Sequence, residues 1–154
     1  MAELNVERRA LHALIRLYRL LERSLNDLSL ADFRVLSAVA QGEELASRLA
    51  SRLAVGKPAI SASVDSLVRR GLLSRTPRDD DLRALSLAVT ERGISLHAEA
   101  EQHIRALMTD VVDATDDPEL SWRVLAEIND VIERKRQEKI RHADTMGHDR
   151  GEAR

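Results

Sequence analysis

The sequence predicts a mainly α protein carrying one small β-hairpin, and three observations predict it. Apolar residues recur at helical spacing over most of the 154 residues. That period gives way to strict alternation only after Gly71. Charged residues make up 32% of the chain while there are only 6 Gly and 3 Pro, a composition that favours long amphipathic helices.

The first element is a helix over residues 4–25, where Leu11, Leu14, Tyr18, Leu21 and Leu25 follow alternating steps of three and four. Such a near-heptad seam packs against another long helix. Ser29 is the expected N-cap of the next helix, Leu30 to Ala40, with Asp32 in its first turn and Phe33, Leu36 and Val39 facing inward. Gln41-Gly42 ends it. From Leu45 to Leu53, Leu45, Leu49, Ala50 and Leu53 share one face, and Ala54-Val55-Gly56 is a connection of helix-turn-helix length.

The helix after that turn carries most of the functional argument. Gly56 suits an N-cap and Pro58 the first turn, where its missing N–H costs no helical bond. Ile60, Val64, Leu67 and Val68 form an apolar stripe, and Gly71 stands where a left-handed residue closes a helix. The opposite face holds Pro58, Ala62, Asp65, Ser66 and Arg69, with Ser61 at its edge. These side chains are mostly short, so the backbone can approach another surface closely.

Leu72 to Arg75 reads as a strand, and Leu85, Leu87 and Val89 alternate with Ser86 and Ala88 as its partner. Pro77 to Arg83 is a polar loop between them. Helix, turn, helix and charged hairpin make a winged helix-turn-helix, a module that places one helix in the major groove and a wing on the backbone or minor groove.

Beyond the wing, Thr90 caps a long helix to about Thr115. Ile94, Ile104, Met108 and Val111 share its stripe, widened by Leu96, Ala100 and Leu107. Asp116-Asp117-Pro118 is a turn, and a last helix runs from about Glu119 to Arg141 with Trp122, Leu125, Ile128, Val131 and Ile132 apolar. The segment 142–154 is polar and is expected to be a flexible tail.

The run Leu49-Ala50-x-x-Leu53-x-Val55-x-Lys57-Pro58-Ala59-Ile60-Ser61 resembles the MarR family of bacterial transcriptional regulators. So do Val64-Asp65-x-Leu67 with Gly71-Leu72, Asp81-x-Arg83-Ala84, and Thr90-Glu91-x-Gly93. The ordered set spans residues 28–93; the flanking helices match by layout. The resemblance implies a homodimeric repressor on a pseudo-palindromic operator, often released by a small anionic or aromatic effector. It further implies that Asp81 orients Arg83 and that Arg83 enters the minor groove, where narrow A·T tracts concentrate negative potential. Relatives often carry Arg where this chain has Ala62 and Ser66, and Ser or Thr where it has Ala46.

The expected organisation is a DNA-binding lobe over 28–93, a helical dimerisation region over 1–27 and 94–141, and the tail. Lys57, Ser61, Ala62, Ser66 and Arg69 are the expected major-groove contacts, with Arg78 and Arg83 serving the wing. Ser and Lys supply hydrogen bonds to phosphates or base edges, whereas Ala62 meets only a thymine methyl. Leu11, Leu14, Tyr18, Ile104, Met108, Trp122, Leu125 and Ile128 are the expected dimer contacts, because three long helices carry more apolar surface than one small lobe covers. Lining a ligand cavity is the other reading of Tyr18 and Trp122.

A net charge of −2 conceals an asymmetry. From Ser47 to Arg83 there are eight Lys or Arg against four Asp, net +4, leaving −6 elsewhere. With no Cys there is no disulfide, thiolate metal site or thiol sensor. The five His show no helical zinc spacing, Asp79-Asp80-Asp81 lie consecutively in a loop, and Gly56-Lys57 lacks the upstream glycine of a P-loop. Neither an enzyme, a metal site nor a cofactor is expected. No apolar run is long enough for a membrane span and no signal-peptide pattern appears, so a cytoplasmic location is expected. The rival class is a helical protein-interaction module or antirepressor whose winged helix binds protein.

Overall fold

The computed structural model describes residues 2–43, 45–77 and 85–149. Its elements are α1 (Ala2–Ser24), α2 (Leu30–Ala40), α3 (Ala46–Leu53), α4 (Lys57–Arg69), β1 (Leu73–Pro77), β2 (Leu85–Val89), α5 (Glu91–Asp113) and α6 (Pro118–Asp149). The chain divides into two compact units, Met1–Met108 and Thr109–Arg154.

The first unit is built on a core of Leu25, Leu28, Val35, Leu36, Val39, Leu49, Ile60, Val64, Leu67, Leu72, Leu73, Leu87 and Ala100. Helices α2, α3 and α4 pack on one another, and the antiparallel β1–β2 ribbon packs against α2 and α4. Local chemistry starts each helix. Ser29 accepts a hydrogen bond from the Asp32 amide at 3.0 Å as N-cap of α2. Gly56 enters α4 with extended geometry ahead of Pro58. Thr90 Oγ1 accepts from the Gly93 amide at 3.0 Å and donates to Gly71 O at 2.7 Å, joining the start of α5 to the end of α4.

The exit of α4 explains a shift in the first strand. Gly71 has φ +69°, and its amide bonds Val68 O while that of Leu72 bonds Leu67 O, the paired bonds of a Schellman motif. Leu72 is thereby committed to the helix end, and its carbonyl accepts from Thr90 N. Strand β1 therefore begins at Leu73 and takes in Pro77, pairing Leu73 with Val89 through Pro77 with Leu85.

Leu25 belongs to the lobe core, not to the α1 seam. Leu21 of that seam is half-buried, while Leu11, Leu14 and Tyr18, with Ile15 beside them, are each more than half exposed. Tyr18 donates to Glu22 Oε1 at 3.1 Å, and that hydrogen bond raises its pKa. Helix α5 also faces differently from the stripe drawn from its sequence. Ala100 is buried and Leu96 and Ile104 pack on the core, whereas Ile94 is exposed. Ile94 and Ile104 stand ten positions apart, about 80° off register at helical pitch.

His97 fastens α5 to α2. Its ring stacks on Phe33, with centroids 5.0 Å apart and planes 4° from parallel. Its Nε2 lies 2.7 Å from Ser37 Oγ. Ser37 Oγ also lies 2.9 Å from Phe33 O, so the hydroxyl links the ring to the backbone of α2.

In the second unit, α5 ends one turn before α6 begins. Asp117 caps α6 through Oδ1, which accepts from Leu120 N at 2.9 Å. Trp122 and Ile128 are exposed and Leu125 is half-buried. Helix α6 continues to Asp149, past the Arg141 boundary expected from sequence, so residues 142–149 extend the helix where a tail was expected. No helix among the described residues is long and apolar enough to cross a membrane.

Candidate nucleic-acid interface

The expected reading surface is the outward face of α4. Its inner face is anchored by Ile60, Val64 and Leu67, all buried. Turned outward, Lys57, Ser61, Ala62 and Arg69 are exposed and Ser66 is half-buried, so five of the expected contacts fall on one helix and four of them are exposed. Helix α3 and the three-residue turn hold α4 in place. Ala54 caps α3 with φ 52° and ψ 42°, left-handed geometry in a non-glycine residue. Arg34 Nη2 donates to Leu53 O at 2.8 Å, tying α2 to that same helix end.

Several cations near this face have structural duties. Arg70 pairs with Asp32 at 3.4 Å and also donates to Asp27 O, clamping the end of α4 to the start of α2. Arg52 reaches back to Gln41 and to Ala38 O. On the outward face of α4, Asp65 accepts from Arg75 Nη2 at 2.6 Å. This pair joins α4 to β1 and neutralises the only carboxylate of α4. Sequence reasoning put Asp65 on the face but missed its partner. The two stand ten residues apart across a helix end and a strand start, where no single periodicity applies. Arg78, Asp81 and Arg83, the expected wing residues, lie outside the described residues, as does the triplet Asp79-Asp80-Asp81. Among the described residues no group of His, Asp and Glu is placed to hold a metal ion.

Residues 26–84, which span this helix-turn-helix, match the model of the MarR family. That match covers 59 of the 154 residues of the chain. No curated protein matches it. Among solved structures it is similar to the transcriptional regulator BldR from Sulfolobus solfataricus, at 25% identity over 87% of this chain and 99% of that one, TM-score 0.66. Wild-type MarR from E. coli in its apo form is 24% identical over 77% of this chain and 93% of that one, TM-score 0.66. The repressor CouR bound to a 23-mer DNA duplex is 21% identical over 80% and 89%, TM-score 0.71. CouR from Rhodococcus jostii RHA1 has also been solved with p-coumaroyl-CoA, at 21% identity over 81% and 87%, TM-score 0.67.

The Thr90-Glu91-x-Gly93 motif of this chain has a physical reason. A Cβ on Gly93 would lie 2.1 Å from Leu72 O, so only glycine lets α5 pass the α4–β1 corner this closely. A cleft of about 460 Å³ opens beside that corner, lined by Asp27, Arg70, Leu72, Arg92, Ser95 and Glu99 among others.

Proposed function

We propose that this chain is a homodimeric, sequence-specific DNA-binding repressor that reads a pseudo-palindromic operator with α4 and is released by a small effector. The observation that carries the reading is the exposed, short-chained face of α4, bounded by Lys57 and Arg69 and seated on a buried Ile60–Val64–Leu67 face. A rigid helix with a low outward profile reaches base edges, and flanking cations hold phosphates. The fold shared with CouR on its DNA duplex supports that use of α4. Arg83 is assigned to the wing and Asp81 to orienting it, following the family pattern. Dimerisation is supported by the exposed apolar residues of α1 and α6, Leu11, Leu14, Tyr18, Trp122 and Ile128 among them, which a second subunit would cover. Release by an effector is supported by the CouR complex with p-coumaroyl-CoA.

The test is footprinting of the purified protein on genomic DNA, with affinity measured at two salt concentrations. Expected are two protected half-sites centred about 10 bp apart, or a multiple, in an inverted repeat. Affinity should fall steeply with salt as counterions are released. Salt-insensitive or absent duplex binding by the folded dimer would instead mark a protein-binding winged helix.

A further inference from the structure

One face of α1 is a continuous basic stripe. At about 100° per residue, Arg8, Arg9, His12, Arg16, Arg19 and Arg23 fall within an arc of about 100°. They run for about 22 Å along the helix at 1.5 Å rise. All six are exposed, and among the described residues none of these Arg side chains makes an ion pair. Exposed apolar residues border the stripe on one side, Leu11, Ile15 and Tyr18. A surface of this kind asks for a partner that is acidic and apolar at once.

The same sequence contains that complement. From Thr109 to Trp122 there are five carboxylates, Asp110, Asp113, Asp116, Asp117 and Glu119, and no Lys or Arg. Asp110, Asp113 and Asp116 are exposed and without an ion pair among the described residues. This acidic corner lies where α5 turns into α6. An exposed apolar row starts beside it and repeats every four residues: Leu120, Val124, Ile128 and Ile132. A nucleic acid would match the arginines but leave Leu11, Ile15 and Tyr18 wet. A second copy of this chain matches both.

We propose that the α1 arginine stripe docks on the α5–α6 acidic corner of a second copy, so that charge selects the partner and register of an apolar seam. The inference rests on the homodimer reading and adds the side chains that specify it. In a two-fold dimer the contact occurs twice, each copy giving its stripe and receiving on its corner. Flanking charges of this sort set pairing specificity in the way e and g positions do in coiled coils.

The symmetry supplies a sharp test on the full-length protein. One variant carries Arg9→Glu and Arg16→Glu, another Asp113→Lys and Asp116→Lys; all four positions are exposed, and Asp117, the α6 cap, is left alone. Each variant alone opposes like charges in both contacts, so its dimer dissociation constant should rise about tenfold or more by sedimentation at low salt. Mixed one to one, both contacts become complementary, and native mass spectrometry should show mainly heterodimer with near wild-type affinity. Arg9→Gln with Arg16→Gln should weaken the dimer less and flatten its salt dependence. Wild-type affinity in each reversal variant alone would overturn the proposal, as would weakened variants that mixing does not rescue. A reversal variant that dimerises normally but loses affinity for random duplex DNA would reassign the stripe to nucleic acid. A monomeric wild type would refute the homodimer reading itself, an outcome distinct from these.

Discussion

Replacing Gly93 by alanine tests the joint between the DNA-reading lobe and the long helix α5. The new Cβ would meet Leu72 O at 2.1 Å, Leu72 C at 3.1 Å and Val89 Cγ1 at 2.8 Å. Val89 can turn aside, but the Leu72 carbonyl is backbone, pinned by the Thr90 amide at 3.1 Å. Relief to ordinary contact requires roughly 1 Å of movement, which overpacks the corner at about 1–3 kcal/mol. It also breaks the Leu72–Thr90 bond, worth about 1 kcal/mol. The sum is about 2–4 kcal/mol. At roughly 2–4 °C per kcal/mol for a chain of this size, the midpoint should fall by roughly 5–15 °C. Thermal unfolding reads it, at a fixed protein concentration because the midpoint of any self-associating chain depends on concentration. Gly42→Ala is the control. Gly42 also has a positive φ, +94°, but nothing lies within 4 Å, so the change should cost about 1–2 kcal/mol of backbone strain alone. A Gly93→Ala protein that melts with wild type, or above Gly42→Ala, would refute the clash argument.

Further expectations follow from other contacts. Ala54→Gly relieves a left-handed alanine in the helix-turn-helix corner and should stabilise the protein by up to about 1 kcal/mol in urea unfolding; destabilisation would show that Ala54 is not strained there. Arg75→Ala uncovers the Asp65 carboxylate on the reading face and should weaken duplex binding, with Asp65→Asn in the same chain restoring it. Failure of that rescue would remove the neutralising role. Ala62→Glu should abolish operator binding in a folded dimer, and Arg83→Ala should weaken binding to all sequences and lower the log–log salt slope by about one. Unchanged affinity in both would separate this surface from DNA. His97→Ala removes the Phe33 stack and the Ser37 bond and should cost about 1–3 kcal/mol in unfolding; no cost would mean that α5 is held to α2 by apolar contacts alone.

Much of this protein was legible in its sequence because the signals act within one turn of chain. Ser29 capping α2, Pro58 and Gly71 bracketing α4 and Thr90 opening α5 each depend on neighbours within about one helical turn. The inner face of α4 followed from period alone, and so did the outward placement of Ser61, Ala62 and Arg69. Tertiary structure decided what distant parts of the chain do to one another. The turn of α5 that brings Ala100 and His97 inward and leaves Ile94 exposed depends on Phe33 and Ser37, sixty-odd positions earlier. Glycine at 93 is required by a carbonyl from another corner, and Asp65 is silenced by an arginine on the wing strand. Periodicity records which side of an element is apolar. Which partner meets that side, at what distance and with what charge, exists only once the elements are packed.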